Sequence, residues 1–121
     1  MSSLFFAVRE SMIAAPVEVS SGIWEASFFF ADNFFGFDGH FPDDPMLPGI
    51  AQIAAVALVA SAGRDFRLLE VRRAKFMGMV RPGDTMRVRT TVKADGERAL
   101  VAGDSATEKG PCAQIKLTLE L

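Results

Sequence analysis

The sequence predicts an α+β domain in which an antiparallel sheet wraps one long apolar central helix, and three observations lead there. The run 46–62, MLPGIAQIAAVALVASA, is broken only by Gln52 and Ser61, and a helix with no polar face has to be enclosed by other elements. After it come segments in which apolar and polar residues alternate with a period of two, separated by glycine turn signals. Before it stands an aromatic stretch and then an irregular one, so the order is strand, loop, helix and about four antiparallel strands.

Taken in order, GIWEASFFFA at 22–31 is aromatic and branched in character and reads as a strand apolar on both faces, hence covered on both sides. Residues 32–45, DNFFGFDGHFPDDP, are dense in Asp, Gly and Pro and read as a loop. Pro48 suits a first helical turn, where its missing N–H costs nothing, and helical text runs to Ala62 before Gly63 supplies a left-handed stop. A strand over 68–80 ends at Arg81-Pro82-Gly83-Asp84, where Pro-Gly fits the middle of a type II turn. In the next strand Met86, Val88, Thr90 and Val92 share one face, while Arg87, Arg89, Thr91 and Lys93 share the other. Asp95-Gly96 signals a tight hairpin, and Lys109-Gly110 a second turn. The last strand alternates again, with Ala113, Ile115, Leu117, Leu119 and Leu121 on one face and Gln114, Lys116, Thr118 and Glu120 on the other.

Length and composition narrow the function classes. A chain of 121 residues that is 50% hydrophobic is expected to form a single domain over 1–121 with a real core. Its 13 basic and 15 acidic residues leave a net charge of −2, which is no electrostatic footprint for nucleic acid or an anionic membrane. The apolar run is short of the roughly 20 residues of a membrane span, and its alanines suit close packing. Cys112 is the only cysteine, no Cys/His cluster has metal-ligand spacing, and a reducing cytoplasm is the expected compartment. The first residues show no basic segment leading into an apolar one, so no signal peptide is read there.

The chain's single histidine, His40, sits in GHFPDDPMLPG, residues 39–49, with prolines 42, 45 and 48 spaced by three. This stretch resembles the Gly-His-Phe-Pro-x-x-Pro-x-x-Pro-Gly signature of the 3-hydroxyacyl-acyl-carrier-protein dehydratases of FabA/FabZ type, matching at Gly39, His40, Phe41, Pro42, Pro45, Pro48 and Gly49 with an apolar Leu47. RRAKFMGMVRPGD at 72–84 is a weaker echo of the same family, in the family's order. The resemblance implies the hotdog fold and a homodimer whose sheets join edge to edge with active sites at the interface. It also implies an acyl group carried by acyl carrier protein or coenzyme A, and no metal or redox cofactor. His40 would be the base and the Gly49 N–H would polarise the thioester carbonyl.

The chemistry makes sense of that spacing. Removing the proton α to a thioester builds negative charge on its oxygen, so a base of near-neutral pKa and a donor aimed at that oxygen must converge. Histidine titrates near about 6.5, and amides at a helix N-terminus favour an anion. The prolines restrict φ at three points and would hold His40 and Gly49 in a fixed mutual geometry. One departure stands out: the family carries Glu or Asp five positions after the motif glycine, and here that position is Ala54, with Ala51 and Leu58 on the same face. By helical geometry Gln52 points about 200° away from position 54. Asp38, Asp43, Asp44 or Glu25 remain as sources of an acid from a loop or strand.

Other features carry two readings each. His40 taken alone suits a buried structural histidine as well as a base, and Gly49 suits the start of any helix. Of the 11 Phe residues seven lie between 28 and 41; core packing accounts for most, while Phe41 and Phe76, with Pro48 and Gly78, are candidates to line an acyl pocket. Met77, Met79 and Met86 fit either a ligand wall or a core. Arg72, Arg73, Lys75 and Arg81 form either a docking patch for an acidic carrier or a solvated strand face. The function expected is dehydration of 3-hydroxyacyl thioesters, His40 taking the α proton. A thioesterase would want a helix carboxylate that is missing, and an acyl-binding protein without turnover would explain Ala54.

Overall fold

Residues 3–34, 37 and 44–121 are described by the computed structural model of the chain. The elements run α1 (Ser3–Glu10), β1 (Val17–Ser20), β2 (Ile23–Phe29), α2 (Gly49–Ser61), β3 (Arg67–Phe76), β4 (Thr85–Asp95), β5 (Arg98–Thr107) and β6 (Gly110–Glu120). Among the described residues six strands form one sheet in the order β1-β2-β4-β5-β6-β3, and every neighbouring pair is antiparallel.

The period of two in the sequence translates directly into the inner face of this sheet. Met86, Val88 and Thr90 of β4, Ala99, Val101 and Ser105 of β5, and Ile115, Leu117 and Leu119 of β6 are buried, while Arg87, Arg89, Thr91 and Lys93 are exposed. Against the inner face lies α2, in which ten residues are buried: Ala51, Gln52, Ala54–Ala60 and Ser61. Small side chains bring it close: a Cβ on Gly103 of β5 would stand 2.6 Å from Cγ1 of Val56.

The enclosure differs from the expected one. There are two short helices in place of one long one, since α1 packs against α2 and closes part of the surface the sheet does not reach. The first residues of the apolar run are not helical either: the Leu47 N–H donates to the Val80 carbonyl at 2.7 Å, so the segment before Pro48 is tied to the far end of the β3 connection. Strand β2 is half-buried on both faces over residues 23–27 and differs between its faces only at the end. Phe28 is fully buried and Phe29 is 47% exposed, because β1 is a short edge strand lying beside β2 and not over it.

Two turns match their glycines, one leading into β4 and one closing the β4–β5 hairpin. At 81–84 the Asp84 N–H reaches the Arg81 carbonyl at 3.0 Å and Gly83 has φ +86°, as a type II turn requires. The β4–β5 loop is Gly96-Glu97, one residue later than the Asp-Gly signal suggests, with Asp95 paired to Arg98 and positive φ at Gly96 alone of the two, as in a type II′ turn.

The helix stop falls one residue early. Ala62 itself is left-handed, φ 53° and ψ 42°, with its N–H on the Val59 carbonyl, and Gly63 follows at φ +82°. An L-residue in that region carries about 1 kcal/mol of strain. Ala62→Gly is therefore expected to raise the unfolding free energy by about 1 kcal/mol in urea melts; a lower stability would show that the alanine side chain is held by packing instead.

Candidate active site

The start of α2 presents backbone donors that its own cap does not satisfy. Pro48 is the N-cap, extended at φ −66° and ψ 150°, and gives no side-chain cap hydrogen bond. The amides of Gly49 and Ile50 make no hydrogen bond among the described residues, so two backbone donors and the positive end of the helix dipole face outward together. Beside them opens a pocket of about 430 Å³.

Its second wall comes from the end of β3. Phe76, Met77, Gly78 and Met79 line it opposite Pro48, Gly49 and Gln52. The Phe76 ring lies over Gly49 so closely that a Cβ there would meet Cζ at 2.8 Å; glycine at 49 is what lets the ring cover the helix terminus. The turn beyond Phe76 is pinned to β6, since the N–H groups of Met77 and Gly78 both donate to the Cys112 carbonyl, at 2.8 and 3.2 Å. A Cβ on Gly78 would stand 2.6 Å from the Pro111 carbonyl oxygen, so this approach also needs glycine. Pro48, Gly49, Phe76 and Gly78 thus share one pocket, whereas His40 and Phe41 lie outside the described residues.

Gln52 is the residue that sequence reasoning passed over. It is 3% exposed, lines the same pocket as Gly49, and accepts a 2.8 Å hydrogen bond at Oε1 from the Ser105 hydroxyl of β5. Being about 200° from position 54 places it on the side of α2 that the pocket occupies. Ala54 is 1% exposed and, with Ala51 and Leu58, belongs to the core. The signal available in the sequence was that Gln52 is one of only two polar interruptions in an apolar helix.

The structure removes two substitutes for the missing carboxylate. Asp44 is held by both Arg81 nitrogens, Nε to Oδ1 and Nη2 to Oδ2, each at 3.0 Å. Those hydrogen bonds, helped by the guanidinium charge, hold its carboxyl below the usual carboxylate range, the wrong direction for an acid at neutral pH. Glu25 pairs with Arg89 at 3.3 Å on the outer face of the sheet. Asp38 and Asp43 lie outside the described residues. Arg81 likewise leaves the proposed basic patch, of which Arg72, Arg73 and Lys75 remain on exposed β3.

The Asp44–Arg81 pair ties the approach to α2 to the turn after β3, and its pH dependence follows in sign. Because the folded carboxyl titrates below its unfolded value of about 3.9, the pair stabilises the fold fully above that value and loses its effect as pH falls through the folded pKa. The melting-temperature difference between wild type and Asp44→Asn is accordingly expected to be constant from pH 7 to pH 5 and to close in more acid solution. A difference that widens on acidification overturns this pairing.

The phenylalanines divide by face. Phe28, Phe30, Phe34 and Phe37 are buried and form a ladder of ring contacts, Phe28 stacking on Phe30 at 6.0 Å, Phe30 meeting Phe34 edge-on at 5.1 Å and Phe34 meeting Phe37 at 5.6 Å. Met86 is fully buried and so belongs to the core, while Met77 and Met79 are exposed in the pocket. Two larger depressions, of about 530 and 710 Å³, lie on the outer sheet face around Glu25 and Arg89 and at the hairpin end around Trp24 and Arg98. Neither contains the helix terminus.

Comparison with known proteins agrees with this architecture. Residues 17–116 match the model of the ApeI-like family, described as ApeI dehydratase. The chain is 37% identical over 97 residues to the 3-hydroxyacyl-[acyl-carrier-protein] dehydratase FabZ of Rickettsia akari, covering 66% of this chain and 67% of that one. It is 38% identical over 96 residues to the FabZ of Latilactobacillus sakei, covering 69% of each. The solved dehydratase heterocomplex ApeI:P from Xenorhabdus doucetiae superposes with a TM-score of 0.74 at 22% identity, over 91% of this chain and 96% of that one, which places the present fold among hotdog proteins.

Proposed function

The chain belongs to the ApeI-like dehydratase family, and from that premise we propose that it removes water from 3-hydroxyacyl thioesters to give 2-enoyl thioesters, the acyl group being presented by acyl carrier protein or coenzyme A. The observation that carries this reading is the start of α2, where the amides of Gly49 and Ile50 have no partner among the described residues and Gly49 lines a pocket walled by Phe76 and the methionines. A thioester oxygen seated there would meet donors already oriented, in a site where charge is weakly screened, which is the arrangement an enolate needs. The apolar wall suits the acyl chain.

His40 supplies the base in this reading. It takes the proton from C2, the C2 electron pair moves into the C2–C3 bond, and the C3–O bond breaks. With Ala54 in the core and Asp44 and Glu25 engaged elsewhere, the imidazolium formed at His40 is the proton source for the departing hydroxide, so that water leaves and the base is regenerated. Elimination of water transfers no electrons, and the reading calls on no metal or redox cofactor.

The second copy of the chain enters through β3. This ten-residue strand ends the sheet opposite β1, is exposed along most of its length and carries Val71 at 39% and Phe76 at 48% exposure. A strand edge that is unpaired among the described residues is a template for pairing with another strand, and pairing of β3 with its copy would set two pockets beside one interface. A reducing cytoplasm suits the free Cys112; among the described residues no helix is long and apolar enough to cross a membrane.

Ala54 favours one rival, an acyl-binding protein without turnover. Hydration of a short 2-enoyl thioester separates the two: loss of the conjugated absorbance is the expected result, whereas saturable binding without that loss identifies a binding protein, and release of free thiol identifies a thioesterase.

A further inference from the structure

Gln52 poses a physical question that the fold alone does not answer. A carboxamide on an otherwise apolar helix, 3% exposed, costs free energy unless its polar atoms are used. The Ser105 hydroxyl satisfies Oε1 at 2.8 Å; the nitrogen, with two donors, makes no hydrogen bond among the described residues. Among those residues no side-chain polar atom that is shut off from solvent lacks a partner, so this nitrogen reaches open space. The space Gln52 lines is the pocket beside Gly49.

We propose that Gln52 is a substrate-binding residue, its carboxamide nitrogen donating a hydrogen bond to the oxygen on C3 of the acyl chain. The inference deepens the dehydratase reading and rests on it. Residues 49 and 52 are three apart on one helix and so lie on one side of it, about 4.5 Å apart along the axis. A thioester whose carbonyl oxygen is held by the Gly49 and Ile50 amides extends its C2 and C3 along the pocket, and the C3 oxygen is the next polar atom to need a partner. Gln52 offers the first side-chain donor on that path. An amide does not release its protons at neutral pH, so Gln52 does not stand in for the carboxylate absent at position 54. It holds and orients the C3–O bond, and Ser105, fixing the other end of the carboxamide, is a positioning residue.

The test compares binding of 3-hydroxybutyryl-CoA with that of butyryl-CoA, which lacks the C3 oxygen. Wild type is expected to prefer the hydroxylated thioester, and Gln52→Leu to lose about tenfold of that preference with the butyryl-CoA Kd unchanged. Ser105→Ala, which leaves Gln52 in place but unfixed, is expected to lose part of it. Since Gln52→Leu leaves the Ser105 hydroxyl without its partner, its melting temperature is measured alongside, and if that variant does not fold, Ser105→Ala decides. A folded Gln52→Leu that keeps the wild-type preference overturns the proposal while hydration by wild type continues. Wild type that binds neither thioester overturns the dehydratase reading, and this proposal with it.

Discussion

His40→Ala is expected to lower the rate of 2-enoyl thioester hydration by about 10²- to 10⁴-fold, the contribution of a positioned proton-transfer group, with little change in the binding of a saturated thioester. The reason is chemical. The chain has one histidine, and α2 offers no carboxylate, its polar residues being Gln52 and Ser61. In the proposed reading the imidazole that takes the proton from C2 also returns it to the departing hydroxide. In wild type the rate should fall on acidification as the imidazole is protonated and ceases to be a base, and that limb should vanish in His40→Ala. A variant that retains activity within tenfold of wild type, with the acid limb intact, sinks the assignment of His40 as base.

The second large effect is on stability. Gly103 faces Val56 so closely that an added Cβ would lie 2.6 Å from Cγ1, 2.9 Å from Cγ2 and 3.3 Å from Cβ of that valine. Neither partner can move freely. Gly103 is paired on both sides, with Thr90 of β4 and Ile115 of β6, and Val56 is branched at the atom in contact and fully buried. Gly103→Ala should therefore force α2 off the sheet locally and cost about 2–3 kcal/mol in urea unfolding. Val56→Ala removes the obstructing methyl groups, so the double variant should be less destabilised than the sum of the two single changes, with a coupling above about 1 kcal/mol. Strict additivity would show that the strain is taken up elsewhere.

The second effect acts on the seating of α2. Shifting the helix relative to β5 moves Gln52 against Ser105 and Gly49 against Phe76, so Gly103→Ala is expected to disturb the pocket as well as the core. The Asp44–Arg81 pair works at the other end, holding the approach to the helix against the turn after β3. Four contacts distant in sequence, Gly103 with Val56, Ser105 with Gln52, Phe76 with Gly49 and Arg81 with Asp44, thus fix the amides on which the proposed chemistry depends.

Strands β4, β5 and β6 were legible because each has one wet and one dry face. Met86, Val88 and Thr90 alternate with Arg87, Arg89 and Thr91, and a period of two survives whatever the strand packs against. The glycine turns were legible for the same local reason, positive φ at Gly83 and Gly96. Helix α1 and strand β1 were not. In α1 only Val8 is fully buried, and all four residues of β1 are exposed, so neither displays a pattern strong enough to read; each forms because β2 and α2 are already there to receive it. The apolar stretch 22–31 misled in the opposite sense, since an apolar outer face, as at Phe29, looks in sequence like a covered one.

By itself, the sequence determined the order of elements from β2 onward, the burial of α2, the alternation of β4 to β6 and the motif that puts His40 ahead of Gly49. Which side of α2 faces the pocket was decided only by tertiary structure. A helix apolar all round carries no internal mark of its own rotation, because every side is equally content to leave water. Its setting about its axis comes instead from what it meets: Gly103 making room for Val56, Ser105 answering Gln52, and Phe76, 27 positions further along the chain, closing over Gly49.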